Sequence, residues 1–193
     1  MSLPPSEIRN LVERAQGGES SAVAALYQAY ADAIFRYIAY RVPTIEDAED
    51  LTAEVFVKMV EGLPAYRLTE APFEAWLYRI AAARVIDLRR KMTRRPQQAL
   101  SEQLTDDAPS PEAEVQGHQE FETLRDALAQ LGDEYQTLLI LRFVERKSHE
   151  EVAAILDKSV SAVKSAQHRA LAQLAALLGA DQKARHYLRG AGE

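Results

Sequence analysis

Hydrophobic positions recur along this chain at intervals of three and four residues. Nowhere do they alternate with a period of two for long enough to build a sheet, so the pattern predicts an all-α protein. Ser6 is placed to cap a first helix that stops at Gly17-Gly18. A longer helix is expected from about Ser20 to Arg41, halted by Val42-Pro43 because proline lacks the amide that would continue the ladder. A third, about Ile45 to Gly62, puts Ala48, Leu51, Val55 and Met59 on a core side and Asp47, Asp50, Glu54 and Glu61 on another stripe. Leu63-Pro64 ends it, and Pro72 suits the first turn of a fourth helix. In that helix Phe73, Trp76, Leu77, Ile80, Ala81 and Leu88 share an arc expected to face a core. Arg79, Ala83, Ile86 and Arg90 follow a separate i, i+4, i+7, i+11 stripe. Arg84 projects among the apolar residues, where it must snorkel or meet a carboxylate such as those of the third helix.

Near the other end, Ser148 to Leu178 reads as two short helices separated by a tight break. Ser148 and Glu151 form a Ser-x-x-Glu capping box before the apolar run Val152 to Leu156. Asp157-Lys158 interrupts the helix, and Ser159 can cap a second one beginning at Val160. On the second helix Val163, Ala170, Leu174, Leu177 and Leu178 cluster on one side, opposite Ser161, Lys164, Ser165, His168 and Arg169. The polar set has the donor chemistry needed for phosphates and base edges in a major groove. Periodicity alone leaves two readings open, a helix-turn-helix and an ordinary amphipathic hairpin with a solvated face.

Charge distribution says more than net charge. The chain carries -6 overall, which disfavours strong nonspecific binding to naked DNA and points to DNA engagement with a partner. Residues 1–95 hold thirteen acids and thirteen bases, whereas residues 96–119 hold five acids and no base. Arg84 to Arg95 is locally basic. The stretch from about Met92 to Ser110, with Pro96, Pro109 and paired Gln and Asp residues, lacks the apolar surface to offset its ordering entropy. It is read as an acidic flexible linker between two small helical domains rather than as a long surface loop within one.

Three segments in series then resemble a known family. These are Asp47-Ala48-Glu49-Asp50-Leu51-Thr52-Ala53-Glu54-Val55-Phe56, Ala75-Trp76-Leu77-Tyr78-Arg79-Ile80-Ala81, and the helix-turn-helix carrying Val163-Lys164-Ser165 and His168-Arg169-Ala170. Together they resemble the sigma factors of bacterial RNA polymerase, and most closely the extracytoplasmic-function (ECF) branch. The resemblance implies a sigma-2 domain over 1–95, a linker over 96–114, a sigma-4 helix-turn-helix domain over 115–180 and a tail over 181–193.

It also implies roles. Asp47, Asp50, Glu54 and Phe56 would dock on core RNA polymerase, a partner met through its beta-prime and beta subunits. Tyr66, Arg79, Arg90 and Lys91 would recognise and melt the −10 promoter element, where aromatic and basic groups suit unstacked bases. Lys164, Ser165, His168 and Arg169 would read the −35 element as duplex. An anti-sigma factor is an expected partner. Ala83 stands where the family commonly has Asn, and Ala166 where it frequently has Arg, so two DNA contacts are expected to be missing. Asp157 stands where Gly is common in the turn, and Asp tolerates positive φ better than most residues.

Other classes fare worse. The chain has no cysteine, which excludes thiolate zinc sites, disulfides and cysteine nucleophiles. His149-Glu150-Glu151 begins like a metalloprotease helix but lacks the second histidine, and no glycine-rich phosphate loop is present. No catalytic residue, metal or cofactor is therefore expected. The start has no signal-peptide pattern and no segment nears the roughly 18 apolar residues of a membrane span, so a cytoplasmic protein without membrane insertion is expected. The alternative function is a stand-alone helix-turn-helix transcription regulator.

Overall fold

The computed structural model describes residues 3–68, 71–94 and 123–179, and no strand occurs among them. The linker expected at 96–114 and the tail expected at 181–193 lie outside the described residues.

The first half is a four-helix unit. Helix α1 spans Pro5–Gln16, α2 Ser20–Ala39, α3 Ile45–Gly62 and α4 Phe73–Arg94, with a short 3-10 turn at Leu63–Ala65. Ser6 does not cap α1. The helix starts one residue earlier, with Pro5 in the first turn, where its missing amide costs nothing, and Pro4 at the cap. Gly18 turns the chain at φ +88°, a conformation that suits a residue without Cβ. Arg14 and Glu19 then clasp the two sides of that turn, with Nε donating to Oε2 at 2.8 Å.

Helix α2 buries Ala22, Leu26, Tyr30, Ile34 and Ile38 at four-residue steps, and packs on α1, α3 and α4. Burying each large side chain contributes on the order of 1.5–3 kcal/mol, which is why the helix is held by packing rather than by its uncapped start. Thr44 caps α3 by accepting from the Asp47 amide at 3.0 Å. The inward face of α3 comprises Ala48, Leu51, Thr52, Val55, Phe56 and Met59.

Helix α4 is rotated from the expected arc. Phe73, Ala75, Leu77, Tyr78, Ala81 and Val85 are buried, while Trp76, Ile80 and Leu88 are only half-buried. The sequence pattern could not resolve this because α4 meets α2 and α3 on one side and the second half of the molecule on another.

The second half begins with helix α5, described over 123–129, followed by α6 Asp133–Leu139, α7 His149–Leu156 and α8 Val160–Leu177. After α6 the chain continues in a π-helical turn, Ile140–Val144, closed by the Glu145 amide donating to the Ile140 carbonyl at 3.0 Å. The capping box is present in both directions: the Glu151 amide donates to Ser148 Oγ at 3.1 Å and the Ser148 amide to Glu151 Oε2 at 2.6 Å. Asp157 ends α7 in the left-handed region at φ 54°, and Ser159 caps α8 by accepting from the Ala162 amide at 3.2 Å. The core side of α8 is Val163, Ala166, Ala170 and Leu174. Leu177, expected there, is 41% exposed.

The two halves pack against each other. Tyr37 and Thr137 hydroxyls lie 2.9 Å apart, Arg36 pairs with Glu145 at 2.8 Å, and Lys147 pairs with Glu74 at 2.7 Å. At the centre sits Arg41, whose side chain is fully buried. Its guanidinium reaches Asp133 Oδ1 at 2.6 Å, Gln136 Oε1 at 3.2 Å and the Tyr37 hydroxyl.

Candidate nucleic-acid interface

The acidic stripe is built by the cap and period of α3. With Leu51, Val55 and Met59 inward, Asp50 and Glu54 are forced outward at a four-residue step, and Asp47 lies half-buried one step before them. A small pocket joins Asp47, Asp50 and Glu54 to Arg84, Asp87 and Lys91 of α4. The carboxylate that Arg84 bonds is Asp87 of its own helix, at 2.8 Å, rather than one from α3, and its Nε is buried with no hydrogen-bond partner among the described residues.

Phe56 does not belong to the stripe. It is 6% exposed, with its ring 4.8 Å from that of Tyr27 and inclined to it at 65°. The apolar groups that do reach the surface there are Tyr27, Val57 and Val60, which line a groove between α2 and α3. Their signal in the sequence was two valines off the core arc of an otherwise polar face.

Tyr66, just after the 3-10 turn, is half-buried in an aromatic cluster. Its ring stacks on Trp76 at 4.5 Å and 28°, and meets Phe73 edge-on at 5.3 Å and 89°. Such pairs are worth about 0.5–1.5 kcal/mol each beyond the area they bury. Burial raises the Tyr66 phenol above its ordinary value, and the Arg79 charge opposes that rise. The loop backbone is held from a distance: Gln16 Nε2 donates to the carbonyls of Leu63 at 3.0 Å and Tyr66 at 2.6 Å. Sequence reasoning missed Gln16, because nothing local marks a glutamine at the end of α1.

Arg79, Ala83 and Arg90 are exposed along α4 and Lys91 beside them, as the stripe requires. From Arg79 to Arg90 the track covers about 16 Å at 1.5 Å per residue. Arg90 and Lys91 lie some three turns beyond Arg79 along the same helix. Arg89 turns the other way, into the contact between the halves.

On α8, Lys164, Ser165, His168 and Arg169 are all exposed on one side. Arg169 Nε donates to the Tyr135 hydroxyl of α6 at 3.1 Å. Ala166 is 2% exposed and faces the core beside Val163 and Ala170, away from the exposed donors of α8.

Residues 26–95 match Sigma-70 region 2, and residues 121–174 match Sigma-70, region 4. Over 180 residues, 92% of this chain and 68% of the relative, the sequence is 35% identical to the ECF RNA polymerase sigma factor BldN of Streptomyces coelicolor. The chain belongs to the ECF sigma factors. It is also 33% identical over 181 residues to SigD of Mycobacterium tuberculosis, covering 90% of this chain and 85% of that one. Among solved structures it is similar to CnrH in complex with the cytosolic domain of CnrY, with a TM-score of 0.67, 25% identity, and coverage of 90% of this chain and 98% of that one.

This ECF sigma factor therefore binds core RNA polymerase and directs promoter-specific transcription initiation, the work of its family. Its region 2 comprises most of α2 together with α3 and α4, and the helix-turn-helix of α7 and α8 falls in region 4. No group of residues suited to hold a metal ion, and no helix long and apolar enough to cross a membrane, occurs among the described residues.

Proposed function

We propose that this sigma factor divides its task among three surfaces. Asp47, Asp50 and Glu54 dock on a basic surface of core polymerase, Tyr66, Arg79, Arg90 and Lys91 capture the −10 element, and Lys164, Ser165, His168 and Arg169 read the −35 element. The observation that carries the reading is the two-sidedness of α8, which buries Val163, Ala166 and Ala170 while exposing a continuous donor face. A helix so anchored can enter a major groove without exposing its core. Phe56 is dropped from the polymerase set, and Tyr27, Val57 and Val60 supply apolar area beside the carboxylates.

The domain limits 1–95, 96–114 and 115–180 are part of the same proposal. The protein acts without catalysis of its own and works in the cytoplasm, where its polymerase and promoters are. An anti-sigma factor is the regulatory partner that family membership supports.

Run-off transcription with core polymerase on a promoter library tests the reading. Promoter-dependent product is expected with the wild-type chain, and loss of upstream footprinting is expected with Lys164→Ala and Arg169→Ala. Unchanged upstream footprints in both variants would remove α8 from the −35 contact. Tight sequence-specific duplex binding without polymerase would instead favour the stand-alone regulator.

A further inference from the structure

The donor face of α8 is bordered on both flanks by polar tethers. On one flank Gln167 Oε1 accepts from Arg142 Nε at 3.1 Å and lies 3.1 Å from His149 Nε2. A guanidinium can only donate, so the oxygen of the Gln167 amide must face it, and the imidazole nitrogen beside that oxygen must carry a proton. The two donors fill the two lone pairs of one carbonyl oxygen. Arg142 lies in the π-helical turn and also donates to the Lys147 carbonyl, while His149 opens α7. Gln167 therefore ties the middle of α8 to two separate elements, and all three side chains are half-buried. On the other flank Arg169 Nε donates to the Tyr135 hydroxyl of α6 at 3.1 Å.

The position of these bonds around the helix decides what they control. At about 100° per residue, Gln167 stands about 60° from Lys164 on the side of Val163, and Arg169 about 140° from Lys164 on the other side, with His168 and Ser165 between. The buried contact of Val163, Ala166, Ala170 and Leu174 holds α8 against its neighbours. Hydrophobic attraction is non-directional, and two of those four side chains are alanines that resist rolling poorly. Hydrogen bonds are directional and fix the roll. With side-chain tips about 5–6 Å from the helix axis, a roll of about 30° carries them about 3 Å. That is close to the step of about 3.4 Å between base pairs, so a modest roll hands a donor to the neighbouring base.

We propose that Gln167 is a specificity-determining positioning residue: held by Arg142 and His149, it sets the roll of α8 and so selects which bases of the upstream element Lys164, Ser165 and His168 meet. It acts through those donors. The proposal rests on the assignment of α8 to the −35 element made above.

The test compares Gln167→Met, which keeps the length of the side chain and removes the acceptor, with Gln167→Glu, which keeps an acceptor for both donors. Holoenzyme made with each full-length variant is titrated on promoter fragments carrying the preferred upstream element and its single-base variants. In Gln167→Met the preference for the best base over its competitors is expected to fall by about fivefold or more. Circular dichroism, core binding and the log–log salt slope should stay as in the wild type, because no phosphate contact is lost. Gln167→Glu should keep the wild-type preference. Nuclear magnetic resonance of the free full-length protein gives a reading independent of DNA. The Arg142 Nε–H and His149 Nε2–H signals are expected to be protected from solvent exchange in the wild type and in Gln167→Glu, and to lose that protection in Gln167→Met.

An unchanged base preference in Gln167→Met, or the same loss in Gln167→Glu, would overturn the proposal. So would an equal fall in affinity for every fragment, which is the mark of a helix that is merely less stable. Should Gln167→Met not fold, His149→Phe removes one tether from outside α8 and is expected to lower the preference in the same direction, an unchanged preference there being equally fatal. Failure of the underlying reading looks different, since Lys164→Ala and Arg169→Ala would then leave upstream footprints intact.

Discussion

Gln16 and Tyr66 are joined by a hydrogen bond of 2.6 Å across 50 residues of sequence, from the last residue of α1 to the loop after the 3-10 turn. The same amide nitrogen also donates to Leu63, so one side chain sets the path of the backbone that carries the Tyr66 ring. Gln16→Leu removes both bonds and leaves two carbonyls seeking water, at a cost of about 1–3 kcal/mol for each group left buried. Permanganate footprinting of the −10 region is expected to show several-fold less melting with normal protection upstream. Equal loss at both elements would mean that the variant is simply less folded.

Gly62 sits under the aromatic cluster. A Cβ at this position would come within 2.9 Å of Trp76 Cζ2, so Gly62→Ala must push the indole away. The gain in helix propensity is smaller than the expected overpacking cost of about 1–3 kcal/mol. Because Trp76 is the single tryptophan, its fluorescence reports the change directly. A red-shifted emission and a lowered urea midpoint are expected, while an unshifted spectrum would show that the Tyr66–Trp76 stack absorbs the methyl group.

Asp50 and Lys164 lie on different surfaces and should separate two binding steps. Asp50→Arg is expected to abolish association with core polymerase in a pull-down while leaving circular dichroism unchanged, since Asp50 is exposed. Lys164→Ala should leave core binding intact and weaken upstream-element recognition by about 1–3 kcal/mol if the lost contact is to a base edge. Normal core affinity of the Asp50 variant would place the polymerase contact elsewhere.

The clasp between α1 and α2 carries a pH signature. The Arg14 guanidinium, with help from the Ser21 hydroxyl, holds the Glu19 carboxyl at about 2, against 4.5 for an ordinary glutamate. A carboxylate held down in the fold stabilises it fully above its unfolded value, and that contribution fades as pH falls from 4.5 toward 2. Glu19→Gln should therefore shallow the acid limb of stability measured by urea unfolding between those two pH values. Both side chains are exposed, so the effect is expected to be small and to shrink in high salt.

Local features are legible in the order of residues. The Ser148–Glu151 capping box, the left-handed Asp157 and the Ser159 cap depend on hydrogen bonds and torsions within four residues, and each stands where the sequence places it. The exposed donors of α8 follow from the same logic, because Val163, Ala170 and Leu174 leave only one side for them. Phe56 and Ala166 show where such reading stops. Each lies at the border of a polar stripe, one position from residues of the opposite kind, and a helix turning 100° per residue leaves border positions undecided until a neighbour covers them.

Sequence alone determined the first four helices, the helix-turn-helix with its Ser148 and Ser159 caps, and the family, since periodicity, capping chemistry and ordered motifs are properties of neighbouring residues. Tertiary structure alone decided that Gln16 holds the Tyr66 loop and that Arg84 pairs within its own helix. It also decided that Arg41, a charged residue at the end of a predicted helix, is the buried centre of a contact with Asp133, 92 residues away. The physical reason is the same in each case. A polar side chain has no intrinsic inside or outside, and its place depends on which distant donor or acceptor the fold brings within hydrogen-bonding reach.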